Sequence, residues 1–276
     1  YMNQKILFEE IKKKRSYLCV GLDVDLDKIP KHLLSESDPI FSFCKKVVDS
    51  TARFAVAYKP NIAFFESYGS DGWKSLERLS DYLSINYPNI FTIADAKRAD
   101  IGNTASRYAK AFFEKLSFDA VTVSPYMGRD SVEPFLDYKD KFAIVLTLTS
   151  NVGSEDFQTL KTNEKHFFEK VIHISQAWKN SNRIMYVVGA TKANQIKNIR
   201  EIIPDSFLLI PGIGAQGGDL DKVSDFAINN CCGIIVNSSR QIIYANNGLD
   251  FEKHVRDEAK SIQTIMEKKL IDHKII

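Results

Sequence analysis

The sequence predicts an α/β protein, a single (β/α)8 barrel running from residue 1 to residue 276. Three observations carry this. Eight short apolar runs alternate with helical stretches from end to end. The runs are nearly continuous in apolar residues rather than alternating, as in parallel strands covered on both faces. Polar and charged residues collect just after each run, where a barrel of this kind carries its chemistry. A doubly wound open sheet is the structural alternative.

The predicted strands are Leu18–Asp23, Phe54–Lys59, Ile90–Asp95, Ala120–Ser124, Phe142–Leu148, Ile184–Val188, Phe207–Ile210 and Gly233–Asn237. A first helix over 3–14 precedes them and would close the bottom of the barrel. Helical patterns follow over 38–50, 62–86, 103–116, 129–138, 163–180, 192–202, 219–230 and 251–269. The last sets Phe251, Val255, Ala259, Ile262 and Met266 on one stripe. Residues 149–162 read as a long loop after the fifth strand. No linker, low-complexity tract or charge block divides the chain.

Composition narrows the function. Lys+Arg 37 against Asp+Glu 35 is near balance, and no basic block offers a nucleic-acid or membrane surface. No apolar run reaches the length of a membrane span, and the first residues lack the apolar core of a signal peptide. The expected location is therefore cytoplasmic. Cys19, Cys44, Cys231 and Cys232 fit no metal or disulfide spacing and are expected as free, buried thiols. The five histidines are scattered, so no metal site is expected.

The strand ends supply the candidate site. Asp95-Ala96-Lys97-Arg98-Ala99-Asp100 follows the third run. On a strand Asp95 and Lys97 share a face. Burial would strip the charge from Lys97, and flanking carboxylates would restore it. The seventh run is followed by Pro211-Gly212-Ile213-Gly214-Ala215-Gln216-Gly217-Gly218 and then a helix, and the eighth by Ser238, Ser239 and Arg240. Glycine-rich backbone at a helix start, beside an arginine fork, suits a phosphate. Asp23 and Lys59 could hold sugar hydroxyls or pair with each other. Ser150 and Asn151 could read the edge of an amide-like ring.

This set resembles orotidine 5′-phosphate decarboxylase along essentially the whole chain, in a form similar to the longer bacterial subgroup. The carrying motif is Asp95-x-Lys97-x-x-Asp100-Ile101, continued by Gly102-Asn103-Thr104. Leu22-Asp23, Lys59-Pro60, Val188-Gly189-Ala190-Thr191, the glycine segment after Pro211, and Ser239-Arg240 support it. Ala99 departs from the subgroup's usual glycine, and Val152 from its commoner proline. The resemblance implies decarboxylation of orotidine 5′-monophosphate to UMP with no cofactor, as the last step of de novo pyrimidine biosynthesis. It implies that Lys97 protonates the reacting carbon beside Asp95. It implies a homodimer in which Asp100 and Thr104 reach the neighbouring site. It further implies substrate contacts from Asp23, Lys59, Ser150, Pro211, Gln216, Ser239 and Arg240. Rival readings are a sister barrel using Mg²⁺ and a sugar phosphate, a Schiff-base aldolase on Lys97, and a silent nucleotide-binding barrel.

Overall fold

The computed structural model describes residues 3–213 and 219–276. Eight parallel strands close on themselves: β1 Leu18–Leu22, β2 Ala55–Pro60, β3 Phe91–Arg98, β4 Ala120–Val123, β5 Phe142–Leu148, β6 Ile184–Val188, β7 Leu208–Pro211 and β8 Ile234–Ser238. Each strand pairs with its chain neighbours, and β1 pairs with β8 through Leu18↔Val236 and Cys19↔Asn237. Every residue of β1, β2, β4 and β8 is buried. The barrel lumen covers one face and the helices the other, which is why these strands read as unbroken apolar runs.

The helices are α1 Gln4–Lys14, α2 Pro39–Thr51, α3 Ile62–Glu66, α4 Gly69–Asn86, α5 Gly102–Lys110, α6 Glu133–Leu136, α7 Phe167–Gln176, α8 Ala193–Ile202, α9 Leu220–Ala227, α10 Arg240–Ile243 and α11 Phe251–Asp272. Asn3 starts α1 by accepting the Ile6 amide N–H. At the far end of that helix the Lys14 ammonium donates to the carbonyls of Ala52 and Ala55, at the entry to β2. The α1 helix thus sits at the N-terminal end of the strands, opposite the candidate site. The stripe of α11 buries Phe251, Val255, Ala259, Ile262 and Met266 as the pattern predicts.

Four expectations need correction. The helix predicted over 62–86 breaks into α3 and α4. Gly69 takes φ +60, and a Cβ on Gly72 would lie 1.9 Å from the Phe65 carbonyl oxygen, so only glycine lets the second piece fold back this closely. The helix predicted over 103–116 loosens into a π turn over Ala111–Lys115. The segment predicted as helix over 129–138 is a 3₁₀ turn, Arg129–Ser131, followed by the short α6. The helix predicted over 163–180 begins only at Phe167, because Lys161–Thr162 and Lys165–His166 form a small antiparallel hairpin. Glu169 then accepts the His166 amide N–H at 2.7 Å and fixes the start of α7. The 149–162 loop is itself partly ordered by the 3₁₀ turn Val152–Asp156. All four cysteines are free; Cys19, Cys44 and Cys232 are buried as expected, whereas Cys231 is exposed.

Candidate active site

The C-terminal ends of the strands surround an open cavity of about 460 Å³. Its charged wall comes from β1 to β3. Lys59, near the end of β2, is 5 % exposed and places its ammonium 2.7 Å from Asp95 Oδ2. The other carboxylate oxygen of Asp95, Oδ1, accepts from the Lys97 ammonium at 2.6 Å. Asp95 therefore bridges two cations. Burial alone would push its carboxyl up, but Lys59 and Lys97 more than offset that and hold it well below the usual carboxylate range. Burial likewise pulls the Lys59 ammonium down, and Asp95 with Asp23 more than reverses it, so Lys59 is held above the ordinary lysine value.

Lys97 differs from the sequence expectation in two ways. Its side chain is 53 % exposed to the cavity, so the buried lysine is Lys59. It contacts one carboxylate of its own chain rather than two, because Asp100 turns away and accepts the Ile101 amide N–H at 2.8 Å. Arg98 also turns outward, pairing with Glu66 and lying over the ring of Tyr108.

Asp23, one residue beyond β1, lines the cavity, and its buried Oδ1 has no partner among the described residues. Its carbonyl accepts the Tyr244 hydroxyl at 2.7 Å, and that hydroxyl accepts the Asp25 amide N–H. The pair of bonds anchors the loop after β1. Since Lys59 gives its ion pair to Asp95, Asp23 keeps an acceptor with no partner among the described residues. Ser150, after β5, lines the same cavity, and its buried hydroxyl also has no partner among the described residues. Room for it comes from Gly189, where a Cβ would lie 2.2 Å from Ser150 Oγ. Such groups cost free energy unless something supplies the missing bond.

The opposite wall comes from β7 and β8. Pro211, Gly212 and Ile213 line it, with Gly212 at φ +95, a backbone that favours glycine. Ser239 lines the same wall against Gly21 of β1, where a Cβ would lie 1.8 Å from Ser239 Oγ. Arg240 begins α10 at the cavity edge. Asp23, Lys59, Asp95, Lys97, Ser150, Pro211, Ser239 and Arg240 thus line one cavity. Gln216 lies outside the described residues. Asp100 and Thr104 do not line the cavity; Thr104 is exposed on α5.

Sequence reasoning missed Thr122, whose hydroxyl lies on Asp95, and Lys28, Asn61 and Asn237, which also line the cavity. Thr122 and Asn237 were legible in part, as polar residues inside otherwise apolar strands. Lys28, paired with Asp25 at 2.8 Å in the loop after β1, carried no sequence signal. Among the described residues no group of three or more His, Cys, Asp or Glu side chains could hold a metal ion. No described helix is long and apolar enough to cross a membrane.

Fold and site together define a (β/α)8 barrel whose working end sets a lysine–carboxylate–lysine array against a glycine- and arginine-bearing wall. Comparison with known proteins gives that class its family. The sequence model of the orotidine 5′-phosphate decarboxylase / HUMPS family matches residues 16–250, and the chain belongs to that family. It is 57 % identical over 273 residues to the orotidine 5′-phosphate decarboxylase of Flavobacterium johnsoniae, covering 99 % of this chain and 100 % of that one. It is 55 % identical over 269 residues to the enzyme of the same name from Christiangramia forsetii, covering 98 % of this chain and 99 % of that one. Among solved structures it is similar to the OMP decarboxylase of Leishmania donovani. That pair superposes with a TM-score of 0.79 at 35 % identity, over 95 % of this chain and 100 % of the other.

Proposed function

We propose that this chain decarboxylates orotidine 5′-monophosphate to UMP and CO₂ in pyrimidine biosynthesis, as a carboxy-lyase that uses its own fixed charges and no cofactor. The observation that carries the mechanism is the Lys59–Asp95–Lys97 array, in which one buried carboxylate holds a cavity-facing ammonium 2.6 Å away. Loss of CO₂ breaks the bond to C6 of the pyrimidine and leaves its electron pair on that carbon. With no electron sink in the ring, the pair must be met by preorganised positive charge. Lys97 supplies that charge and then the proton, and recovers a proton from solvent. Asp95 keeps Lys97 aimed and charged, and Lys59 keeps Asp95 ionised.

The rest of the substrate fits the walls. Arg240 and Ser239, with Gln216 and the glycine backbone after Pro211, would take the phosphate. The orphaned oxygen of Asp23 suits a ribose hydroxyl, with Lys59 beside it, and the orphaned hydroxyl of Ser150 suits the base edge. Phosphate and ribose lie away from the reacting carbon, so their binding energy can be spent on organising the site.

A homodimer with shared sites belongs to the same reading. Asp100 and Thr104 lie outside their own cavity, on the segment that also exposes Ile101. Tyr126, Met127, Val152 and Phe157, on the loops after β4 and β5, are large exposed apolar residues at the same end of the barrel. A second copy covering this face would bring Asp100 and Thr104 to its own cavity. The cytoplasm is the location this reading assigns.

Incubation with orotidine 5′-monophosphate should yield UMP and CO₂ in equal amounts, measured by chromatography and trapped gas. Unchanged substrate would overturn the proposal. Mixing Lys97→Ala with Asp100→Ala subunits should recover part of the activity that each lacks alone. No recovery in a verified mixed dimer would remove the sharing.

A further inference from the structure

The β3–β4 ladder is interrupted at the site. Ala94 pairs with Val121 and Arg98 with Val123, so Asp95, Ala96 and Lys97 stand opposite the single residue Thr122. Within that gap the Lys97 amide N–H donates to Thr122 Oγ1 at 2.9 Å. The same hydroxyl donates to Asp95 Oδ1 at 3.0 Å, and that oxygen receives the Lys97 ammonium at 2.6 Å. One hydroxyl therefore ties the backbone of Lys97 to the carboxylate that grips its head.

The tie has a strained backbone to hold. Lys97 sits at φ +47, in the left-handed region, which costs a Cβ-bearing residue on the order of 1 kcal/mol. Thr122 is 1 % exposed, and its strand is otherwise Ala120, Val121 and Val123. Packing alone would be served by valine, which has the same shape. What the hydroxyl adds is two hydrogen bonds, both to the residues of the charge array.

We propose that Thr122 is a positioning residue for the decarboxylation: its hydroxyl spans the break in the β3–β4 ladder and sets where the Lys97 ammonium stands over the reacting carbon. This rests on the decarboxylase reading above. Thr122 acts through Lys97 and Asp95, so its loss should slow the chemical step and leave substrate affinity nearly unchanged. A misplacement of about 1 Å can cost roughly a hundredfold in rate.

The test compares Thr122→Val and Thr122→Ser with the wild type, in kcat, in KM for orotidine 5′-monophosphate and in Kd for UMP. Valine should lower kcat by about 10- to 100-fold, with KM and the UMP Kd within about threefold of wild type. Serine, which keeps the hydroxyl, should restore kcat to within about threefold. A valine variant as fast as wild type, a serine variant as slow as valine, or a change confined to KM would each overturn the proposal. Should valine prevent folding, judged by circular dichroism, Thr122→Ala is read in its place against the same serine control. A wild type that leaves the substrate unchanged would fail the decarboxylase reading itself. An active wild type with an indifferent hydroxyl at residue 122 would fail only the role of Thr122.

Discussion

The two ends of the barrel each bury a lysine, and the two are held in opposite ways. At the bottom, Lys14 is 12 % exposed, and its nearest carboxylate oxygen, on Glu10, is 3.8 Å away. Its ammonium donates to two backbone carbonyls, at 2.9 and 2.7 Å. Burial wins there and pulls the group down to about 8, against the upward pull of Glu10. At the top, Lys59 is more deeply buried, yet it is held above the ordinary lysine value because Asp95 lies 2.7 Å away with Asp23 nearby. Carbonyl dipoles satisfy the hydrogen bonds of a buried ammonium, but they do not restore its charge; a carboxylate in contact does. The working end of the barrel uses Asp95 for this and passes the second oxygen of that carboxylate to Lys97.

Asp95→Asn strikes this contrast hardest. It removes the opposing charge from a buried lysine, and stranding one partner of a buried pair costs about 3–5 kcal/mol. Urea unfolding should show a loss of that size, together with a collapse of turnover. Stability equal to wild type would mean that the top lysine is held no differently from the bottom one. Arg240→Ala acts on the opposite wall and should leave the charge array intact. Losing a charge-assisted hydrogen bond costs about 1.5–3 kcal/mol, so UMP should bind roughly tenfold or more weakly in a calorimetric titration. Unchanged affinity would move the phosphate site elsewhere.

The smallest effect belongs to Lys14. Its group stands near 8 in the folded chain against 10.5 as the ordinary value, so the unfolded chain binds more protons between those limits. Stability contributed by this group therefore rises with pH from about 8 towards 10.5, and below 8 the full cost of burying the charge is present. In Lys14→Met that rise should vanish. The melting temperature of wild type relative to the variant should climb by about 2–4 °C between pH 8 and pH 10. A constant difference would mean that Lys14 keeps its ordinary titration.

Most of the barrel was legible because parallel strands buried on both faces write themselves as apolar runs. The predicted strand ends lie within three residues of the observed ones, and Phe142–Leu148 and Ile184–Val188 match fully. Asp95 and Lys97 were legible as a pair on one strand. The break between α3 and α4 was not, since a glycine inside a helical pattern does not announce that Gly72 faces the Phe65 carbonyl. Nor was the partner of Lys59. The sequence left a choice between Asp23 and a ligand, and the ion pair formed with Asp95, one strand over. The left-handed backbone of Lys97 and the bonds that the Thr122 hydroxyl makes to Lys97 and Asp95 were out of reach for the same reason. A skipped register belongs to the pairing of β3 with β4 and not to either strand alone.

The central claim is that a fixed ammonium, Lys97, replaces a cofactor at the reacting carbon. The most direct measurement follows the absorbance of orotidine 5′-monophosphate with wild type and with Lys97→Ala, each assayed with and without EDTA. The wild type should turn over at the same rate with EDTA as without it. Lys97→Ala should fall by about 10⁴-fold or more while still binding UMP. A wild type silenced by EDTA, or a Lys97→Ala variant with near-normal turnover, would contradict the account.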